Sequence, residues 1–179
     1  MKTNKTLGDK GKIMSIQNTD FTTIIQYGRR YCDPPVKSRP GCRAIIVKEG
    51  KILLSYETNT KVYMSPGGGL EKGETLEECC TRELQEEAGY IVNPVKRFVT
   101  INEYFDDTLY INNYFICEIT GTCQSSLTEI EIAHGITPVW VDINDALKIF
   151  GEYESKRDDI ASLYLREFTV INKYLESEI

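Results

Sequence analysis

The stretch that decides the fold lies between Gly68 and Gly89 and reads GGLEKGETLEECCTRELQEEAG. It is a glycine-rich loop followed by a short segment rich in glutamate. Thr75 is a favourable N-cap, and Glu78, three residues later, completes a capping box. Gly89 is a natural C-terminal stop. The stretch therefore predicts a loop that leads into a helix over residues 76–88.

Three glutamates of this helix, Glu83, Glu86 and Glu87, project from one face. At about 100° per residue they fall within an arc of about 100°. Carboxylates this close repel one another unless a counter-charge is present. A divalent cation supplies that charge, and oxygen ligands favour magnesium or manganese over zinc. A solvated acidic face is the alternative, but it predicts interleaved basic partners, and only two basic residues occur between positions 71 and 87.

The spacing of these residues resembles the Nudix box, the motif that defines the Nudix hydrolases. The matching positions are Gly68, Glu74, Arg82, Glu83, Leu84, Glu86, Glu87 and Gly89. A chance match of these residue types at a given start is roughly one in a billion from average composition. Tyr90 departs from the pattern, since the closing position usually holds an aliphatic residue.

The resemblance implies a metal site for Mg²⁺, with Mn²⁺ as an alternative. Its ligands would be the carbonyl of Gly67 and the carboxylates of Glu83, Glu86 and Glu87. The resemblance also implies that Glu74 and Arg82 pair and brace the loop against the helix. These charged residues are the first candidates for catalytic roles.

The implied reaction is hydrolysis of a phosphoanhydride bond in a nucleoside diphosphate linked to another moiety, by attack of water on phosphorus. Such chemistry needs positioning and charge neutralisation more than covalent catalysis. In this family the general base is often a glutamate outside the helix. Glu129 and Glu131, in a polar stretch predicted to be a loop over residues 125–135, are candidates, and Glu103 is another. A solvated surface charge is the alternative for the loop pair.

Substrate contacts are predicted for a basic residue and several aromatic residues. Arg43, at the start of a predicted strand, is a candidate for binding phosphate, with structural pairing as the alternative. Tyr63, Tyr104 and Tyr110 are candidates for stacking on a base, with ordinary packing as the alternative. The partner is expected to be a small-molecule nucleotide.

Composition and net charge limit the possible classes of protein and of binding partner. The 179 residues fit one domain, and contents of 41% hydrophobic and 27% charged residues are those of an ordinary globular protein. A net charge of −6 lacks the basic footprint of nucleic-acid binding. We find no long apolar run and no secretory leader, so we expect a cytoplasmic protein without a membrane partner. Six cysteines without Cys-x-x-Cys spacing indicate reduced thiols.

The order of predicted elements indicates an α/β fold. Strands are predicted within residues 42–56, 62–64, 91–105, 110–119 and 137–141, and later helices over residues 142–150 and 158–176. This order agrees with the Nudix α/β/α sandwich, in which a loop–helix–loop motif lies beside a mixed sheet. Residues 1–20 are expected to form a loose tail before a single Nudix hydrolase domain over residues 21–179. The resemblance also makes a homodimer through helix 158–176 an expectation.

Three alternatives remain open. One is a catalytically silent nucleotide-binding regulator on the same fold, although such proteins usually lose metal carboxylates and this chain keeps them all. Another is an ADP-ribose or nucleotide-sugar pyrophosphatase, which often carries a proline well past the box; here Pro94 comes too early. The third is an isomerase or transferase on the same scaffold.

Overall fold

A computed structural model describes the backbone of residues 12–17 and the whole of residues 21–177. The described part contains nine strands: β1 (Lys12–Gln17), β2 (Thr22–Tyr31), β3 (Lys37–Ile45), β4 (Val47–Lys48), β5 (Lys51–Glu57), β6 (Val62–Met64), β7 (Tyr90–Asp106), β8 (Thr108–Thr122) and β9 (Ile136–Asp142). The helices are α1 (Leu76–Ala88), α2 (Glu129–His134), α3 (Ile143–Gly151) and α4 (Asp158–Ser177), with a 3₁₀ turn at Glu152–Ser155.

The strands form two sheets. The first has the order β1-β2-β7-β8-β3 and is mixed, since β2–β7 and β3–β8 are parallel and the other pairs antiparallel. In the second, β5 pairs antiparallel with β4, β6 and β9. Glu49 and Gly50 join β4 to β5, and both have positive φ, 52° and 74°. Such a two-residue turn matches the twist of a tight hairpin.

Helices cover the sheets on two sides. The residues that pack α1 against β3, β5 and β8 include Cys42, Leu53, Cys80, Leu84 and Phe115. A second apolar cluster packs α3 and α4 against β5 and β6, through residues that include Ile52, Leu54, Phe150, Tyr164 and Ile171. The α/β/α arrangement predicted from the sequence is therefore present.

The helix of the glycine-rich motif begins and ends where the sequence predicts. Thr75 Oγ1 accepts a hydrogen bond from the amide of Glu78 at 3.2 Å, and Glu78 Oε2 accepts one from the amide of Thr75 at 2.8 Å. Gly89 ends the helix in the left-handed region, at φ 68°. Cys79 and Cys80 are fully buried, and all six cysteines are free thiols.

Two predictions about irregular segments were wrong. The expected loose tail contains β1, which pairs with β2; residues 1–11 and 18–20, like residues 178–179, lie outside the described part. The polar stretch 125–135, predicted to be a loop, contains α2. Thr128 and Glu131 form a capping box like that of Thr75 and Glu78, so the signal for this helix was present in the sequence.

The strand β2 was not predicted because its apolar alternation is weak. The side chains buried under α4 are Ile24 and Gln26, while Ile25 and Tyr27, on the opposite face, are half-buried. None of the described helices combines the length and apolar composition needed to span a bilayer.

Candidate active site

The glycine-rich loop is fastened to β3 by backbone hydrogen bonds and passes very close to α1. Three such bonds, 2.9–3.0 Å long, join residues 66–70 to β3. Gly67 has φ 136°, and a Cβ atom there would lie 2.3 Å from the carbonyl oxygen of Cys42. A Cβ atom on Gly68 would lie 2.4 Å from a carboxylate oxygen of Glu83. Glycine is required at both positions because larger residues would displace the loop from the helix.

Carboxylates from two separate elements meet beside this loop. One carboxylate oxygen from each of Glu83, Glu87 and Glu131 lies within 4.8 Å of the others. Glu83 and Glu87, one turn apart on α1, are both 7% exposed. Glu131 comes from the first turn of α2. Glu86, whose side chain is 37% exposed, lies outside this trio. Clustered oxygen donors of this kind fit a hard divalent cation such as Mg²⁺ or Mn²⁺.

Glu87 is buried without a direct ion pair. Its Oε2 atom accepts hydrogen bonds from the Gly67 amide and from Ser55 Oγ, both at 3.1 Å. Among the described residues, no lysine, arginine or histidine nitrogen lies within 4.0 Å of it. Burial raises the pKa of Glu87 to about 7, and the more distant positive charge of Arg43 opposes that rise. Burial also raises the pKa of Glu83, and the neighbouring Arg82 opposes that rise.

Arg82 fastens the helix to the loop. Its guanidinium makes a bidentate pair with Glu74, with N–O distances of 2.8 and 3.0 Å, and donates to the carbonyl of Gly69 at 3.1 Å. The hydrogen bonds from Arg82 lower the pKa of Glu74. Arg82 Nη1 also contacts Glu83 at 2.8 Å and Glu86 at 3.0 Å. The Glu74–Arg82 pair is the one that the sequence predicts.

Arg43 contacts the backbone of the glycine-rich loop. Its Nη1 atom donates to the carbonyls of Ser65, at 3.0 Å, and Gly67, at 2.8 Å. The Gly67 carbonyl, predicted as a metal ligand, therefore has a protein donor already. A carbonyl oxygen has two lone pairs, so one position for a metal remains.

A cavity of about 290 Å³ lies on the other side of the loop, between the first sheet and α4. Arg39, Arg43 and Asn112 contribute polar groups to its wall, and Phe105 and Tyr110 contribute aromatic rings. Gly68 and Gly69 form the edge of the cavity next to α1. Gly68 therefore lies between this cavity and the Glu83 carboxylate.

Two tyrosines predicted to contact substrate do not line this cavity. Tyr63 packs on Tyr56, with ring centroids 4.5 Å apart, and Tyr104 stacks on Tyr27 at 5.0 Å. Successive residues of a strand point to opposite faces, so Tyr104 faces away from its neighbour Phe105, which lines the cavity. Tyr110 does line it.

Arg39 lines the cavity too, and it was not predicted from the sequence. It lies four residues before Arg43 on the same strand, and residues four apart on a strand share a face. That spacing could have placed both arginines at one site.

The three candidates for the general base have different surroundings. Glu131 joins the carboxylate trio, whereas Glu129 is exposed and lies outside it. Glu103 lines the cavity, but its carboxylate is bound by Arg166 Nη1 at 2.8 Å and Ser162 Oγ at 2.5 Å. The carboxylate of Glu103 is therefore already engaged in contacts with α4.

Comparisons with known proteins agree with this geometry. The family model of the NUDIX domain matches residues 37–162. The chain is 32% identical over 110 residues to the phosphatase NudJ of Shigella boydii serotype 4 (strain Sb227), a match that spans 58% of this chain and 68% of that protein.

Two solved structures share the fold. The solution structure of the E. coli ORF135 protein has a TM-score of 0.52 and 22% identity, over 65% of this chain and 81% of that one. A NUDIX hydrolase from Nitrosomonas europaea has a TM-score of 0.51 and 20% identity, over 74% of this chain and 89% of that one. Because the family model spans more than half of the chain and the charged and glycine positions of the Nudix box are all present, the chain belongs to the NUDIX domain family and is a Nudix hydrolase.

Proposed function

We propose that this Nudix hydrolase cleaves a phosphoanhydride bond of a nucleoside triphosphate, canonical or oxidised, by Mg²⁺-dependent attack of water on phosphorus. The observation that carries the proposal is the carboxylate trio of Glu83, Glu87 and Glu131, separated by two glycines from a cavity that contains arginines. The two α1 carboxylates of the trio suit hard cations, and the cavity suits the anionic nucleotide that those cations would neutralise.

Each carboxylate has a role in the proposed reaction. Glu83 and Glu87 hold Mg²⁺, with Glu86 completing the acidic face of α1. Bound Mg²⁺ supplies neutralisation of phosphate charge and a water of lowered pKa. Glu131 takes the proton from the attacking water. The amide and hydroxyl of Thr128 donate to Glu131 Oε2 at 2.7 and 2.8 Å, which orients its carboxylate.

The cavity supports a mononucleotide as substrate. Its volume of about 290 Å³ is at the lower end of the range for small-molecule sites, about 300–1,000 Å³. Such a space favours one nucleoside over a dinucleotide. Arg39 and Arg43 lie on the wall next to the glycines, where they can bind phosphate, while Phe105 and Tyr110 offer rings for the base. The name of the NudJ relative, a phosphatase, agrees with removal of phosphate groups.

The protein is proposed to act on free nucleotides in the cytoplasm. The six free cysteines fit a reducing compartment. The net charge of −6 makes a polyanionic nucleic acid an unfavourable substrate.

A substrate panel tests the proposal. Canonical and oxidised nucleoside triphosphates, ADP-ribose and dinucleotides are compared with Mg²⁺ by kcat/KM, and released phosphate and pyrophosphate are measured separately. We expect a nucleoside triphosphate to rank first and chelation of Mg²⁺ to abolish turnover. Highest activity on ADP-ribose would move the assignment to the pyrophosphatase alternative. Nucleotide binding without turnover would identify a silent regulator.

A further inference from the structure

Glu131 is brought to the carboxylate trio by a helix that has little to hold it. No residue of α2 is buried, and Ile130 and Ile132 are 70% and 64% exposed. A helix of six residues is far below the length, about 12–15 residues, at which isolated helices become even marginally stable. The position of Glu131 therefore depends on contacts at the two ends of α2.

The C-terminal end of α2 is fastened to the turn between β5 and β6. Asn59 Nδ2 donates to the carbonyl of Ala133 at 2.5 Å. The backbone amides of Thr58 and Asn59 donate to the carbonyls of Gly135, at 3.2 Å, and His134, at 3.5 Å. The last carbonyls of a helix have no partner within the helix, so the turn supplies the donors that these carbonyls lack.

The same contact is tight and includes a polar pair of side chains. His134 Nδ1 lies 2.5 Å from Glu57 Oε1. Gly135 has φ 70°, and a Cβ atom there would lie 2.0 Å from Thr58 Oγ1. We call residues 57–59 together with residues 133–135 the clasp. Because the turn and the end of α2 approach this closely, the clasp defines the distance between α2 and the second sheet.

We propose that Asn59 is a positioning residue that holds Glu131 against the carboxylates of α1 through the clasp. Ala133, which Asn59 binds, is two residues from Glu131, or about 3 Å along the helix axis. A displacement of α2 at the clasp therefore moves the carboxylate of Glu131 directly. This inference rests on the proposed function, because positioning matters for catalysis only if Glu131 takes the proton from water.

A kinetic comparison tests whether Asn59 acts through Glu131. Asn59→Ala removes the donor to Ala133, and Asn93→Ala, at an exposed asparagine on β7, is the control. A misplacement of about 1 Å at an active site costs up to about 100-fold in rate, so we expect kcat to fall between about 10- and 100-fold in Asn59→Ala, with KM unchanged. Asn93→Ala should have the kcat of the unchanged protein.

The same substitution is then made in a Glu131→Gln background. If Asn59 works by positioning Glu131, the fall in kcat caused by Asn59→Ala disappears when Glu131 cannot accept a proton. An equal fall in both backgrounds would overturn the proposal, because it would show that Asn59 acts on something else.

Amide hydrogen exchange tests the clasp without relying on activity. Exchange in residues 129–135 should become about tenfold faster in Asn59→Ala and stay unchanged in Asn93→Ala, because the clasp limits opening of α2. Unchanged exchange in Asn59→Ala would overturn the clasp even if hydrolysis is intact. Absence of hydrolysis in the unchanged protein would instead overturn the proposed function, and exchange would still decide whether the clasp exists.

Discussion

The molecule contains two groups of buried carboxylates whose surroundings differ. In the first, which joins β7 to α4 and is called the α4 group, Arg166 lies 2.8 Å from Glu103 and 3.0 Å from Glu167, and its side chain is 6% exposed. On α1, Glu87 is also buried, but among the described residues it has hydrogen bonds only from the Gly67 amide and Ser55. A buried charge without a partner costs several kcal/mol. The difference supports the proposal that Glu87 binds a ligand of positive charge, whereas the ion pairs of the α4 group stabilise the fold.

The α4 group also contacts the residue that precedes the glycine-rich loop. Tyr114 donates its hydroxyl to Glu167 Oε1 at 2.9 Å, and Ser65 Oγ donates to Glu167 Oε2 at 2.6 Å. Ser65 immediately precedes the loop, and its carbonyl accepts from Arg43. The α4 group, whose charges are paired, thus holds in place the glycine-rich loop that contacts Glu83 and Glu87.

The largest expected effect is on activity, from neutralising Glu87. Glu87→Gln should lower kcat/KM by about 10³-fold, or ~4 kcal/mol of transition-state stabilisation, because it removes a carboxylate that we propose binds Mg²⁺. The free energy of unfolding without metal should not fall, since the substitution removes an uncompensated charge. Steady-state kinetics and urea unfolding in EDTA measure the two effects. Loss of stability with intact activity would show that Glu87 stabilises the fold, as the α4 group does.

For Arg166 we expect a loss of stability. Arg166→Met leaves Glu103 and Glu167 buried without a cation, and breaking such a group costs about 3–4 kcal/mol of stability. Urea unfolding at neutral pH measures this loss. Glu167→Gln, which removes one charge and leaves Arg166 paired with Glu103, is the milder control. An Arg166→Met variant with an unchanged free energy of unfolding would contradict the claim that this group stabilises the fold.

The pH dependence of the free energy of unfolding further tests the difference between Glu87 and the α4 group. Because the pKa of Glu87 rises from 4.5 to about 7 on folding, the folded protein binds this proton more tightly than the unfolded chain does. The stabilisation is complete below pH 4.5 and is lost as the pH rises to about 7. At ~1.4 kcal/mol per pH unit, the loss is at most about 3.5 kcal/mol. Unfolding in EDTA between pH 4.5 and 7.5 should show this decrease in the unchanged protein. A Glu87→Gln variant with the same decrease would contradict it.

The smallest expected effect concerns two adjacent glycines. Gly68→Ala places a Cβ atom 2.4 Å from the Glu83 carboxylate, whereas Gly69→Ala meets nothing closer than the Arg39 guanidinium at 3.9 Å. We expect Gly68→Ala to lower kcat about tenfold, ~1.4 kcal/mol, by displacing Glu83. Gly69→Ala should keep its activity. Equal rates for the two variants would show that the loop does not set the position of Glu83.

Local signals in the sequence predicted the α1 region well. Thr75, Glu78 and Gly89 define the ends of the helix through their own side chains and backbone, and helical spacing places Glu83 and Glu87 together. Such features depend on neighbours a few residues away, which a single sequence displays.

The missed features depend on contacts between distant segments. The pairing of Glu103 with Arg166 joins residues 63 positions apart, and the cavity combines β3, β7, β8 and α4. Glu131 was named as a candidate, yet its approach to Glu83 requires a helix that was predicted to be a loop. The face of the sheet on which Tyr104 lies depends on the strand register, which the sequence alone did not specify.

The most direct test is the affinity of the protein for Mn²⁺, measured by electron paramagnetic resonance on the unchanged protein, Glu87→Gln and Glu167→Gln. We predict that Glu87→Gln weakens Mn²⁺ binding by more than about tenfold, ~1.4 kcal/mol, while Glu167→Gln leaves it unchanged. Equal Mn²⁺ affinity in the unchanged protein and Glu87→Gln would contradict the claim that the uncompensated carboxylate on α1 binds a divalent cation.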